Sequence, residues 1–288
     1  MEKLKKIIDT LTGNNLFQIY LPIFRVYIAF HIVKKIYINM GSISLIFGEE
    51  NTTIDRHIDN YSFLKSNFIF DVPIIIQLTL LFAIFFGFGI LKNFSAIMLF
   101  LCNVVINDTF SLFGNGGDNL LYFVLFYMIF TNSYSYFSIC KYKESYLSNL
   151  ISNLGVYAIV FHLCLVYFIS AMHKIHSDVW FNGVATYYIL NIERFCSPFN
   201  YLFCKNAFFI GFSTYFTILF ETLFPFLIWF KSTRKIFLIS GLMMHLGIYF
   251  FMMIYDFQIL FMMIYGFFIT NQEWVNISNR YKLRWIKI

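Results

Sequence analysis

The sequence predicts an all-α protein: a polytopic membrane helix bundle of about eight transmembrane helices with both termini cytoplasmic. Three observations predict it. The chain is 59% hydrophobic and only 12% charged, with a mean hydropathy of +0.69, outside the range of an ordinary soluble domain. Its apolar runs match a hydrocarbon core about 30 Å thick, which needs roughly 20 apolar residues per helix. Its few cations sort to one side of the connectors between those runs, as positive-inside topology requires.

The spans fall at 17–37, 70–91, 94–112, 118–136, 150–173, 208–230, 235–253 and 256–271. The first follows the basic group Lys3, Lys5 and Lys6, which resembles the charged start of a signal peptide. The apolar run is long, is interrupted by Arg25 and His31, and precedes no small-residue cleavage site, so it reads as a retained span. Ahead of the fourth span, Asn115-Gly116-Gly117-Asp118 reads as a tight turn. Glycine permits positive φ there, and Asp118 is expected as the N-cap. The chain divides into a cytoplasmic basic N-terminal segment (1–16), a transmembrane domain (17–271) and a cytoplasmic basic tail (272–288). Each end is too short to bury a core of its own.

With the N-terminus inside, the inner segments hold thirteen cations: Lys3, Lys5, Lys6, Lys92, Lys141, Lys143, Lys231, Arg234, Lys235, Arg280, Lys282, Arg284 and Lys287. The outer segments hold five: Arg56, Lys65, Lys174, Arg194 and Lys205. The net charge of +6 is therefore accounted for by topology and implies no nucleic-acid partner. Forty Phe and twenty Tyr point to an AT-rich coding sequence, hence to a bacterial cytoplasmic membrane, with the lipid bilayer as first partner. Of the five cysteines, Cys196 and Cys204 share the oxidising side, and Pro198 and Asn200 between them suit a closed turn. They are either a disulfide or two small apolar residues at the membrane surface. No C-x-x-C pair occurs, so neither a zinc ribbon nor a thioredoxin-like site is expected.

Ionisable groups inside spans are costly and are functional candidates by default. They are Arg25, His31, Asp108, His162, His173, Glu221 and His245. The plainer alternatives are that Arg25 pairs with Glu221 or Asp108 to hold the bundle, and that each histidine is a hydrogen-bonded packing residue. Taken together they predict an outward-opening polar cavity that gathers His162, His173, Lys174, Asp118, Glu221 and His245. His162 and His173 lie three helical turns apart, on one face of the fifth span. His173-x-x-His176 with Asp178 looks like the start of a metal site, but no second ligand pair with metal-type spacing follows, and no metal is assigned.

The order of motifs resembles a known family. Leu21-Pro22-Ile23-Phe24-Arg25 lies in the first span and Gly114-Asn115-Gly116-Gly117-Asp118-Asn119 at the turn into the fourth. Tyr167-Phe168-Ile169-Ser170-Ala171-Met172-His173-Lys174 is followed by Trp180 and Gly183; Glu221, Pro225, Arg234 and His245 come after. This order resembles the HTTM (horizontally transferred transmembrane) domain, the membrane part of vitamin K-dependent gamma-glutamyl carboxylase and its bacterial relatives. It covers about residues 16–271, and its most specific piece is Lys-x5-Trp-x2-Gly at Lys174, Trp180 and Gly183. The short length looks most like the sporulation-delaying protein B group.

The resemblance implies a role in maturing a secreted peptide toxin or bacteriocin, with a precursor peptide and a small partner protein encoded nearby. It implies Lys174 as a base, since the carboxylase lysine of this motif deprotonates a reduced quinone; the other reading of Lys174 is a snorkelling lysine. His162, His173, Glu221 and His245 join it as candidate catalytic groups. Asn115, Asp118, Trp180 and Arg25 are candidate cofactor-binding groups, a reduced quinone being the cofactor the resemblance suggests. The chain lacks the carboxylases' large lumenal domain and has Asp118 where they show a histidine, so gamma-carboxylation and vitamin K are not carried over. The alternatives are a quinone-linked membrane enzyme and a non-enzymatic immunity or transport component. The four prolines reveal no two-fold repeat of the transporter kind.

Overall fold

The computed structural model describes residues 2–47, 72–109, 115–140, 144–193 and 197–281. Among them every regular element is helical. The α-helices are α1 (Glu2–Gly13), α2 (Tyr20–Phe47), α3 (Val72–Gly87), α4 (Asn93–Thr109), α5 (Gly116–Met128), α6 (Tyr146–Ile175), α7 (Asp178–Phe181), α8 (Ala185–Leu190), α9 (Ala207–Leu227), α10 (Lys231–Met252), α11 (Tyr255–Ile264) and α12 (Asn271–Arg280). Short 3₁₀ turns occupy Asn200–Leu202 and Tyr265–Phe268.

Three helices, α6, α9 and α10, are long and apolar enough to cross a membrane. At 30 residues, α6 is about 45 Å long. Shorter apolar helices occupy Pro73–Gly87, Asn93–Asn107 and Tyr255–Phe268. The outer faces are apolar, the reverse of a soluble protein. On α9, Phe208, Phe212, Leu219 and Phe226 are exposed, and on α10 Ile236, Ile239 and Met243 are exposed.

The chain forms two compact units, Met1–Val156 with Thr270–Ile288, and Tyr157–Ile269. In the first, α2 packs on α3, α3 on α4 and α4 on α5. The buried stripe of α2 runs through Leu21, Phe24, Ile28 and Ile32 at helical spacing, with Arg25 within it. The buried face of α5 is Leu120, Leu121, Val124, Leu125 and Met128. In the second unit, α8 packs on α9 and α10, α9 on α10, and α10 on α11.

The fourth apolar run departs from its expected course. A span was expected over 118–136, but α5 stops at Met128. Thr131, Asn132, Ser133 and Ser135 follow, and residues 131–137 are irregular although Thr131, Asn132, Ser133 and Tyr134 are buried. Irregular backbone persists in an apolar setting only when protein groups satisfy it. Asn93 Nδ2 donates to the Ile129 carbonyl at 2.6 Å and to that of Thr131 at 3.3 Å. Asn15 Nδ2 donates to the Asn132 carbonyl at 3.1 Å, and Ser152 Oγ accepts from the Asn132 amide at 2.9 Å.

Arg25, fully buried, completes the set. Its Nη1 donates to the Ser133 carbonyl at 2.5 Å; its Nη2 donates to Gly87 and Tyr136 at 3.3 Å, and to Phe137. The guanidinium also stands over the Tyr134 ring, 5.1 Å from its centroid. Among the described residues of this unit, the hydrogen bonds of Arg25 thus go to main-chain carbonyls, one of them at the C-terminus of α3, where the helix dipole favours a cation. Because a short Lys ammonium cannot spread over four carbonyls as a guanidinium fork does, Arg25→Lys should lose part of this support and Arg25→Leu nearly all of it. Thermal unfolding in detergent should show Arg25→Leu destabilised by on the order of 3 kcal/mol or more, from the stranded carbonyls, with Arg25→Lys between it and wild type.

Candidate functional site

Within the second unit, α6 and α9 bring a lysine and a glutamate of two long apolar helices together. Lys174 is the penultimate residue of α6, and Glu221 lies about 21 Å along α9 from its start at Ala207. Lys174 Nζ is 2.5 Å from both carboxylate oxygens of Glu221. Ser170, one turn earlier on α6, accepts from Lys174 Nζ at 2.9 Å. The side chains are 18% and 8% exposed. Lys174 therefore does not snorkel from the end of α6 into water: its ammonium is held inside the unit by an anion.

The reason lies in the residues that follow. Within the stretch expected as an outer connector, α8 packs on α9 and α10. The Thr186 amide and hydroxyl meet Thr214 Oγ1 on α9 at 3.1 and 2.9 Å, and Ser213 Oγ donates to Thr186 Oγ1 at 2.9 Å. α7 sets the Trp180 indole 4.9 Å from Lys174 Nζ, a cation–π contact. Gly183 ends that turn at φ +74°, where a Cβ would stand 2.8 Å from the Tyr215 ring, so glycine is required by both backbone and space. All three positions of Lys-x5-Trp-x2-Gly thus have a structural part at one place. Pro225 lies four residues after Glu221 and has no N–H, so the Glu221 carbonyl is left without its usual helical donor.

A second buried cluster lies one to two turns back along α6. Tyr167 Oη is 2.5 Å from His245 Nε2 on α10 and 2.5 Å from Tyr265 Oη. His245 Nδ1 bonds to Gln258 Oε1 on α11. With the Gln258 oxygen as acceptor, the imidazole proton sits on Nδ1; Nε2 then accepts from the Tyr167 hydroxyl, and Tyr167 accepts from Tyr265. Phe220 and Phe224, which flank Glu221 on α9, pack edge-on against Tyr167 at 5.7 and 4.8 Å, so the aromatic wall of this cluster is the same stretch of helix that carries the carboxylate.

The expected cavity group is thus divided. Lys174 and Glu221 meet, and His245 joins Tyr167, Tyr265 and Gln258. His173 is exposed and His162 is half-buried on the same strip of α6. His176 is exposed, with Nδ1 bonded to the Met172 carbonyl at 2.7 Å. Among the described residues no group of three His, Cys, Asp or Glu is arranged to hold a metal. Asp118 lies in the first unit and is not the N-cap: Asn115 caps α5 by accepting from the Gly117 amide at 2.7 Å, and Asp118 completes the capping box by accepting from the Asn115 amide at 2.9 Å. Asp118 also forms an ion pair with Lys35. His31 bonds to Tyr27 at 3.3 Å. The side chain of Asp108, and Cys196 with its expected link to Cys204, lie outside the described residues.

Tyr167, Ser170, Gln258 and Tyr265 escape a search confined to ionisable groups within spans. A signal was present: Tyr167, Ser170 and Lys174 recur at helical i, i+3, i+7 spacing, and Gln258 interrupts the apolar run of α11.

Removing one partner of a buried pair strands the other charge, whereas removing both leaves an apolar contact. Lys174→Met and Glu221→Leu should each destabilise the protein by about 3–5 kcal/mol, and the double variant should recover most of that loss. Thermal unfolding of the four proteins in one detergent measures the coupling; simple addition of the two losses would mean the charges act independently. No family model, no curated protein and no solved structure matches this chain.

Proposed function

We propose that this chain is a multi-pass protein of a bacterial cytoplasmic membrane, with about eight spans and both termini in the cytoplasm. In this reading it is an HTTM-type protein most like the sporulation-delaying protein B group, and it helps mature a small exported peptide with Lys174 as its base. The observation that carries the proposal is the enclosed Lys174–Glu221 pair with Trp180 and Ser170 around it. It supports the resemblance because the three spaced residues of the motif act at one place. Support for the topology comes from the first unit: Lys35, at the expected outer end of the first span, pairs with Asp118, at the expected outer start of the fourth.

The chemistry available to the pair is proton transfer. A proton passing from Lys174 to Glu221 turns two charges into two neutral groups and leaves the net charge of the site unchanged, which a low-dielectric setting tolerates. The neutral amine then has a lone pair with which to take a proton from a weakly acidic group of the substrate. Ser170, which accepts from Lys174, holds the nitrogen in place while the proton moves. Trp180 covers the amine and limits access of water.

Lys174→Met should abolish release of mature peptide into the medium, measured by mass spectrometry at matched membrane levels. Lys174→Arg should fail as well, because a guanidinium stays protonated, while Trp180→Phe should be milder than either. Wild-type maturation from the Arg variant would end the general-base reading and leave a scaffold. The topology is tested separately with a reporter active only in the cytoplasm: silence is expected after Asn115 and activity after Lys141, and the opposite pattern at either site removes the eight-span arrangement.

A further inference from the structure

The turn that carries Trp180 is held to the rest of the second unit at few points. From Asp178 to Asn182 every residue except Trp180 is exposed, and no residue of α7 is buried. Its amides bond within the turn: those of Trp180 and Phe181 to the Ser177 carbonyl at 3.0 and 2.8 Å, and that of Asn182 to Asp178 at 2.9 Å. A four-residue helix with neither a buried side chain nor a side-chain cap has little to stabilise it by itself. Among the described residues, one hydrogen bond joins it to another helix: Tyr215 Oη on α9 donates to the Phe181 carbonyl at 2.9 Å. Tyr215 is itself 52% exposed. The other tie is the Trp180 indole over Lys174 Nζ.

The chain on either side is fixed. Before the turn, α6 runs on to Ile175. After it, Ala185 is buried and Thr186 is bonded to Thr214 and Ser213 of α9. Between these points stand two residues suited to act as hinges. Ser177 is extended, at φ −102° and ψ 124°, and Gly183 has φ +74°. Hinges are a few positions at the ends of elements that absorb a change of backbone angle, and glycine does so with the least steric cost. The Tyr215 ring also stands against Gly183, so one side chain touches both the turn and its hinge.

We propose that residues 177–183 are a lid over the Lys174–Glu221 pair, with Trp180 as its cover and Tyr215 as its latch, and that the pair meets its substrate while the lid is lifted. With the lid down, the Lys174 side chain is 18% exposed and that of Glu221 8%, and the indole occupies one approach to the amine. An exposed hydrogen bond and one cation–π contact are each weak ties. Ties of that size leave the lifted form at about 0.1–10% of molecules. Closure excludes water from the pair, and lifting takes the aromatic face off the ammonium and frees that approach. The inference rests on the reading of Lys174 as the working group of the site and adds how access to it is regulated.

The test uses the full chain in detergent and a small amine-acylating reagent. The rate of labelling at Lys174 is read by peptide mass spectrometry against that of Lys205, which is exposed. In the wild type Lys174 should label more slowly than Lys205. Tyr215→Phe should speed labelling at Lys174 about fivefold, the size of one lost exposed hydrogen bond, and leave Lys205 unchanged. Trp180→Ala should speed it at least as much, and adding Tyr215→Phe to that variant should bring no further gain, because the latch acts through the cover. Unchanged labelling at Lys174 in Tyr215→Phe overturns the lid. An equal gain from Tyr215→Phe with and without Trp180, or a gain at Lys205 as well, marks loosening of the fold and also overturns it. None of these measurements involves the peptide. Wild-type maturation by Lys174→Arg would end the general-base reading and leave the lid standing, whereas an unmoved label would end the lid and leave that reading standing.

Discussion

Main-chain carbonyls in an apolar setting must find donors inside the protein, and the first unit depends on Arg25 to meet that need where helix gives out. One guanidinium gathers four carbonyls from two separate stretches, the end of α3 and the 133–137 segment. Asn15 and Asn93 serve the residues just before. An aliphatic residue at 25 would suit the apolar stripe of α2, but it would leave these oxygens with neither water nor protein. The unwound stretch after α5 and the charge in α2 are therefore two halves of one arrangement, and neither is stable without the other.

The same economy of charge shapes the second unit. Lys174 and Glu221 cancel, Ser170 accepts from the Lys174 ammonium, and Tyr167, Tyr265, His245 and Gln258 satisfy one another through a single directed chain of hydrogen bonds. Nothing in either cluster needs a net charge in the interior. Gly241 lets α10 approach Tyr265 and Phe220 closely; a Cβ there would stand 2.8 Å from the Phe220 ring. The aromatic rings of Phe220 and Phe224 then fill the space around Tyr167, so polar groups and packing are set by the same helix contacts.

Helix α6 links these themes along one chain segment. Its first turns present Asn149 and Asn153 to the end of α1, its middle buries Ile159, Val160 and Leu163, and its last turns carry Tyr167, Ser170 and Lys174. In the second unit the helix also exposes an apolar strip of Phe161, Leu165 and Ile169.

Much of this was legible in the residues themselves. Helical class, the places of the three long apolar helices and the choice of Lys174, Glu221, His245 and Arg25 as groups that need partners follow from composition, run length and the cost of a charge in an apolar segment, all properties of a local stretch of chain. The N-cap at Asn115 rather than Asp118 was a one-turn misplacement within a correctly read capping turn. What the chain order could not specify was pairing. That Arg25 would serve carbonyls and Lys174 would meet Glu221, that His173 would face outward while Tyr167 and Gln258 turned to His245, and that 178–190 would pack on α9 depend on helix rotation and offset. Those are decided only when side chains far apart in sequence compete for the same few partners in the folded interior.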